Sequence, residues 1–202
     1  MIDYIVFDLG GVLIDWDPRY LYRKLFEDPN EIDYFLTEVC HGKWNEQMDG
    51  GYPFEQACND RIAEYPQYEE AILAYWKRWP EMLNGAHPGT VELLEQMRSN
   101  QTHRLFSITN WSAETFPTAR RLFPFLGYFE DIVVSGEEKL IKPNAGIYQV
   151  LFERNQLNAR AGLFIDDNAN NVEAARACGM EAIHFKHPEQ LKSDLQTFGI
   201  IR

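Results

Sequence analysis

The sequence predicts an α/β protein, a doubly wound parallel sheet with a helical module inserted after its first strand. Three observations carry this expectation. Short, mainly apolar runs occur at residues 4–8, 104–108, 131–134, 162–165 and 182–185, and runs that do not alternate with polar residues suit strands covered on both faces. Helical periodicity separates the last four runs, and strands alternating with helices imply βαβ units and a parallel sheet. Residues 16–86 hold helical patterns and no convincing strand run.

Taken in order, the first run is Tyr4-Ile5-Val6-Phe7-Asp8, rich in β-branched and aromatic residues and closed by a turn at Gly10-Gly11. The inserted stretch follows, with helical patterns near 19–26, 31–40, 54–64 and 68–79, and it holds four of the five tryptophans (Trp16, Trp44, Trp76 and Trp79). Residues 88–100 place Val91, Leu94 and Met97 at helical spacing behind Pro88. The next helix is expected over 112–123, with Ser112 at its start and Glu114 in its first turn. A helix over 145–154 follows Pro143-Asn144, and one over 168–178 stops at Gly179. These boundaries divide the chain into a core of residues 1–15 and 87–202 and an insert of residues 16–86.

Composition narrows the functional classes. The 202 residues are 45% hydrophobic and 25% charged, which is ordinary for a globular chain and excludes disorder as its main state. The net charge is −12, and residues 16–86 contribute 14 acids and 7 bases to it. Such acidity argues against nucleic acid or an anionic membrane surface as the main partner. No apolar run approaches the roughly 18 residues that span a bilayer. The N-terminal run is preceded by Asp3 and no Lys or Arg, unlike a signal peptide. Cys40, Cys58 and Cys178 form neither a disulfide framework nor a zinc pattern, so a cytoplasmic location is expected. Monomer and homodimer are equally compatible with the sequence.

In an open parallel sheet, ligands bind beyond the carboxyl ends of the strands. Asp8-Leu9-Gly10-Gly11 follows the first strand and Thr109-Asn110 the second. Lys142-Pro143-Asn144 precedes the helix after the third strand, and Asp166-Asp167-Asn168 follows the fourth. Three carboxylates gathered at one sheet edge repel one another and raise at least one pKa. A cation with oxygen ligands removes that repulsion, and Mg²⁺ suits one or two carboxylates together with a phosphate. A carboxylate nucleophile, Mg²⁺, Lys142 and hydroxyl or amide donors are the parts of a phosphoryl transfer through an aspartyl-phosphate. Structural roles compete for each residue: Asp166-Asp167-Asn168 and Thr109-Asn110 as helix caps, Lys142 as a solvated lysine, and the tryptophans of the insert as core.

These motifs resemble the haloacid dehalogenase superfamily of hydrolases, in the subgroup with a helical cap after the first strand, close to sugar-phosphate phosphatases. The matching residues are Phe7-Asp8-Leu9-Gly10-Gly11-Val12, Ser107-Ile108-Thr109-Asn110, Lys142-Pro143, and Phe164-Ile165-Asp166-Asp167-Asn168-Ala169-Asn170-Asn171. Their order and spacing match from residue 4 to about residue 185. The resemblance implies a Rossmann-like core with residues 16–86 as the cap. It makes Asp8 the nucleophile and a metal ligand, and the Gly10 carbonyl a second ligand. Asp167 is implied as a direct ligand, Asp166 as a ligand or supporting acid, and Mg²⁺ as the cofactor. Thr109, Asn110 and Lys142 are implied to hold the phosphoryl group, and Asn171 to support the fourth motif. Trp44 and Asn45, in the segment His41-Gly42-Lys43-Trp44-Asn45-Glu46, are expected on the substrate side of the cap. The partner is then a small phosphorylated substrate.

One position departs from the pattern. Phosphatases of the resembled family usually carry a second Asp two residues after the nucleophile, as acid and then base, and here that position is Gly10. Losing a general acid typically forfeits ~10²–10⁴-fold in rate. The departure points to slow turnover, a substrate with a good leaving group such as an anomeric phosphate, or an acid from elsewhere, for which Asp15 is nearest in sequence. Two other functions fit the same motifs: a metal-independent 2-haloacid dehalogenase, and a phosphate-binding or regulatory protein with weakened catalysis.

Overall fold

The computed structural model describes residues 2–201. Five strands form one parallel sheet: β1 (Tyr4–Phe7), β4 (Arg104–Thr109), β5 (Asp131–Val134), β6 (Gly162–Asp166) and β7 (Glu181–His184), in the order β5-β4-β1-β6-β7. The chain leaves β1 in one direction to build β4 and β5, then returns past it to build β6 and β7. The topological switch point therefore lies between β1 and β6, where a doubly wound sheet opens a crevice.

The strands are apolar because both faces are covered. Ile5 and Phe7 of β1 share one hydrophobic cluster with Leu105, Leu163 and Ile165. Tyr4 and Val6, which point the other way, share a second with Phe106, Ile108 and Phe164. Helices α6 (Pro88–Asn100) and α11 (Pro188–Thr197) bury Leu93, Leu94, Met97, Leu191 and Leu195 on the first face. Helices α9 (Ala145–Asn155) and α10 (Ala169–Ala177) bury Ile147, Tyr148, Leu151, Val172 and Ala175 on the second.

Short strands β2 (Ile14–Trp16) and β3 (Leu83–Ala86) pair antiparallel. Between them lie α1 (Arg19–Tyr22), α2 (Pro29–Tyr34) running into a π-turn at Phe35–Val39, α3 (Gly42–Asp49), α4 (Phe54–Glu64) and α5 (Glu69–Lys77). An aromatic group of Tyr22, Phe26, Phe35, Tyr68 and Tyr75 packs these helices. The expectation of no strand in residues 16–86 is corrected by β3. Leu83-Asn84-Gly85-Ala86 carries no β pattern of its own and is extended only because it pairs with β2.

A second correction concerns the helix expected from Ser112. Helix α7 spans Phe116–Leu122, with Pro117 in its first turn. Ser112 instead closes a local turn, its Oγ accepting from Glu114 N at 3.2 Å. Glu114 reaches out of that turn to the insert, where its Oε1 accepts from Phe54 N at 2.8 Å. No helix among the described residues is long and apolar enough to cross a membrane.

Candidate active site

The site is assembled at the carboxyl ends of the strands flanking the switch point. Asp8 follows β1 and is 8% exposed, its Oδ1 accepting from Leu9 N at 2.7 Å. Asp166 ends β6 and is fully buried. Lys142 precedes α9, and its Nζ lies 2.9 Å from Asp8 Oδ1 and 2.7 Å from Asp166 Oδ2 with 1% of its side chain exposed. It is not a solvated lysine but the buried countercharge of two carboxylates. An ammonium has three N–H donors, so a third remains beyond these two ion pairs.

Asn110, just past β4, holds the Lys142 backbone from both sides. Its Oδ1 accepts from Lys142 N at 2.8 Å, and its Nδ2 donates to the Lys142 carbonyl at 3.0 Å. Asn110 thus positions Lys142 rather than capping the following helix. Thr109 ends β4 opposite Val134 and is 1% exposed.

The two acids of the fourth motif differ in their surroundings. Asp166 accepts from Lys142 Nζ, from Asn168 N at 2.8 Å and from Asn171 Nδ2 at 3.0 and 3.1 Å. Its oxygens are committed to orienting neighbours. Asn168 caps α10 through its own side chain, which accepts from Asn170 N. Asp167 is exposed on the same edge, and no other side chain among the described residues hydrogen-bonds its carboxylate. It lies against Gly11, whose φ of +74° belongs to the tight turn after β1. The positive φ favours glycine there, and a Cβ on Gly11 would stand 2.4 Å from Asp167 Oδ2 and displace that carboxylate.

The donor set fits a hard divalent cation. One carboxylate oxygen from each of Asp8, Asp166 and Asp167 lies within 4.8 Å of the others. Burial pushes the Asp8 carboxyl up to about 8, Lys142 pulls it down and Asp166 pushes it up further. Burial and the Asp166 charge also raise Asp167. Burial alone would lower Lys142, but Asp8 and Asp166 outweigh it and hold the ammonium charged. With one Lys for three acids, the cluster is short of positive charge, and an oxygen-binding cation such as Mg²⁺ is the chemistry that completes it.

Two expected residues take other roles. Trp44 is 2% exposed, with its ring edge-on to Tyr75 and Nε1 donating to Ala57 O, so it is core of the insert rather than a substrate contact. It lies on helix α3, one of whose faces must be buried for the helix to pack. Asp15 Oδ2 accepts from Tyr20 Oη and Asn84 Nδ2, both at 2.9 Å, tying β2 to β3. That use explains its presence without acid–base work. Asn45 lines a cavity of about 90 Å³ with Gly10, Trp16, Asp49, Phe54, Trp79, Asn110, Trp111, Ser112 and Thr115. A larger hollow of about 740 Å³, lined by Leu25, Tyr68 and Lys77 among others, lies on the insert away from every motif residue.

Sequence reasoning missed Asp49. It ends α3 on the wall of the small cavity, its Oδ2 accepts from Asn45 Nδ2 at 2.8 Å, and burial pushes its carboxyl up to about 7. The only local signal was its place before Gly50-Gly51, which ends a helix. Ser135 was missed as well: its Oγ donates to the Asp49 carbonyl at 2.6 Å, joining the core to the insert.

The family description of haloacid dehalogenase-like hydrolases matches residues 2–179. A phosphorylated carbohydrates phosphatase from Thermotoga maritima is 25% identical over 186 residues, covering 91% of this chain and 84% of that protein. The sesquiterpene phosphatase astK from Aspergillus oryzae is 24% identical over 179 residues, covering 89% of this chain and 87% of that protein. Among solved structures, a haloacid dehalogenase family enzyme from Bacteroides thetaiotaomicron in complex with magnesium and inorganic phosphate superposes with a TM-score of 0.68. It shares 22% identity over 93% of this chain and 96% of that one, a likeness of fold.

Proposed function

The chain belongs to the haloacid dehalogenase-like hydrolases, and from that premise we propose that it is a Mg²⁺-dependent phosphatase acting through a phosphorylated Asp8. Its substrate is a small phosphate monoester, a sugar phosphate in particular. The observation that carries this reading is the buried Lys142 bridging Asp8 and Asp166 beside Asp167, at the switch point of the sheet. Residues 16–86 serve as the cap over a core of residues 1–15 and 87–202, and the β2–β3 ribbon joins the two.

Asp8, Asp167 and the Gly10 carbonyl would hold the cation, with Asp166 behind them. When bound, Mg²⁺ neutralises phosphate charge and lets an anion enter an acidic site. The chain's own residues do the rest. Lys142 keeps one N–H for a phosphoryl oxygen while its two ion pairs fix its position. Asn110 holds Lys142 in place through the backbone, and the Thr109 hydroxyl would be a further donor to the phosphoryl group. The Asp8 carboxylate attacks phosphorus in line, the alcohol leaves, and water then hydrolyses the acyl phosphate. The sugar-phosphate class is supported by a small cavity whose lining mixes amide and carboxyl residues with three tryptophans, and by the carbohydrate phosphatase relative. The dehalogenase reading fits less well, because without a metal three clustered acids would repel a haloacid carboxylate. The acidic surface fits a small substrate rather than nucleic acid, and the unpaired thiols fit a cytoplasmic setting.

The test is hydrolysis of a sugar-phosphate and nucleotide panel with and without Mg²⁺. Turnover is expected with Mg²⁺ and is abolished by chelation or by Asp8→Asn. Undiminished hydrolysis after either change overturns the reading, and phosphate binding without turnover across the panel assigns the protein to the weakened class.

A further inference from the structure

The nucleophile loop lacks an acid, because Gly10 stands two residues after Asp8. Yet a reaction that expels an alkoxide needs a proton delivered to the leaving oxygen. We propose that Asp49, brought to the site by the inserted helices, is the general acid and base that the Gly10 position does not supply. This rests on the phosphatase reading.

Asp49 and Gly10 line the same small cavity, from the insert and from the core respectively, and the space a side chain at Gly10 would enter is open, with nothing within 4 Å of a Cβ there. Asp49 is held on both sides. Within the insert, buried Tyr75 donates its hydroxyl to Asn45 Oδ1 at 3.0 Å, and Asn45 Nδ2 donates to Asp49 Oδ2 at 2.8 Å. Across the junction, the Ser135 hydroxyl donates to the Asp49 carbonyl at 2.6 Å, which fixes the end of α3 against the core. Trp16, on the cavity wall, has an indole N–H with no partner among the described residues, a donor for the leaving group's oxygens.

The charge environment suits a group that must exist in both forms near neutrality. Burial and Glu46 of the same helix raise Asp49, while the Ser112 backbone and Lys142 of the core lower it, and the balance falls at about 7. Tyr75, from α5, is pushed far above its ordinary range and stays a neutral donor. An acid poised near the working pH is the most effective one.

The steps balance. As the Asp8 carboxylate forms its bond to phosphorus, the P–O bond to the alcohol breaks and the Asp49 carboxyl proton passes to the departing oxygen. This leaves ROH, acyl phosphate and an Asp49 carboxylate. That carboxylate then takes a proton from water as the water oxygen attacks phosphorus. The P–O bond to Asp8 breaks, freeing inorganic phosphate and the Asp8 carboxylate. Because the acid sits on the insert, it is in place only when the insert is docked, so closure and protonation are coupled.

The experiment is rapid-mixing kinetics of wild type, Asp49→Asn and Asp49→Glu with Mg²⁺ on two substrates, p-nitrophenyl phosphate and a primary-alkyl sugar phosphate. Nitrophenolate leaves without a proton. Asp49→Asn should therefore give a rapid burst of about one equivalent of nitrophenol, then turnover slowed by ~10²–10⁴-fold, and should show no burst on the alkyl ester. Asp49→Glu should restore part of the alkyl turnover. The wild-type alkyl rate should fall above about pH 7, a limb that Asp49→Asn lacks. Equal slowing of both first steps, or no slowing of either, overturns the proposal while leaving the phosphatase intact. A wild type inert on both substrates overturns the phosphatase reading instead.

Discussion

Lys142 is the residue on which the site's electrostatics turn. Its ammonium is buried between Asp8 and Asp166, and removing one partner of such a group leaves an uncompensated charge worth about 3–5 kcal/mol. Asp8 also sets a pH dependence. Its carboxyl is raised from 3.8 to about 8 in the metal-free fold, and Asp49 is raised to about 7. The folded state then binds protons that the unfolded chain has released. The stability from these groups is fully present below about pH 4 and is lost as pH rises toward 8. The melting temperature of chelator-treated protein should therefore fall by several degrees between pH 5 and 8.5. Asp8→Asn should flatten that slope, and Mg²⁺ should restore stability at the high end by binding only the folded form. A melting temperature that climbs over this interval would contradict the assignment.

At the scale of elements, three of the motifs are loops leaving strands, while Lys142-Pro143 follows the short helix α8 (Ser135–Glu138) that continues β5, and these segments are held by one another. The loop after β4 and the segment before α9 are joined by the two hydrogen bonds of Asn110 to the Lys142 backbone. Truncating Asn110 removes a tether rather than a charge. Small displacements of a positioning group can cost 10²-fold. Asn110→Ala should lower kcat by roughly 10–10²-fold with Lys142 still present and the melting temperature nearly unchanged. Steady-state kinetics beside thermal melts would separate this from unfolding, and a kcat within twofold of wild type would remove Asn110 from the positioning of Lys142. All four motifs were legible because strand ends recur beside Gly, Pro and paired polar residues. The start of α7 was misplaced because Ser112 offers the same hydroxyl to a local turn as to a helix cap, and Pro117 decided between them.

For the whole molecule, the notable contact is between insert and core. It includes the Ser135–Asp49 and Glu114–Phe54 hydrogen bonds, and the hydrophobic cluster on one face of the sheet runs on into the insert. Glu114→Ala leaves Phe54 N without its charged acceptor, at a cost of about 1–3 kcal/mol to docking. Its expected effect is a KM raised by roughly 5- to 150-fold, with kcat on an aryl phosphate little changed. An unaltered KM would show that this contact does not govern closure.

The sequence by itself determined the sheet, its parallel sense and the four motifs, because apolar runs buried on both faces and polar strand ends are written in neighbouring residues. It also marked the vacancy at Gly10. Only the tertiary structure decided that Trp44 is core, that Asp15 ties the ribbon, and that Asp49 shares a cavity with Gly10. Such assignments depend on which faces of the inserted helices meet the sheet edge, and that is fixed by packing between segments some forty residues apart, which no local pattern records.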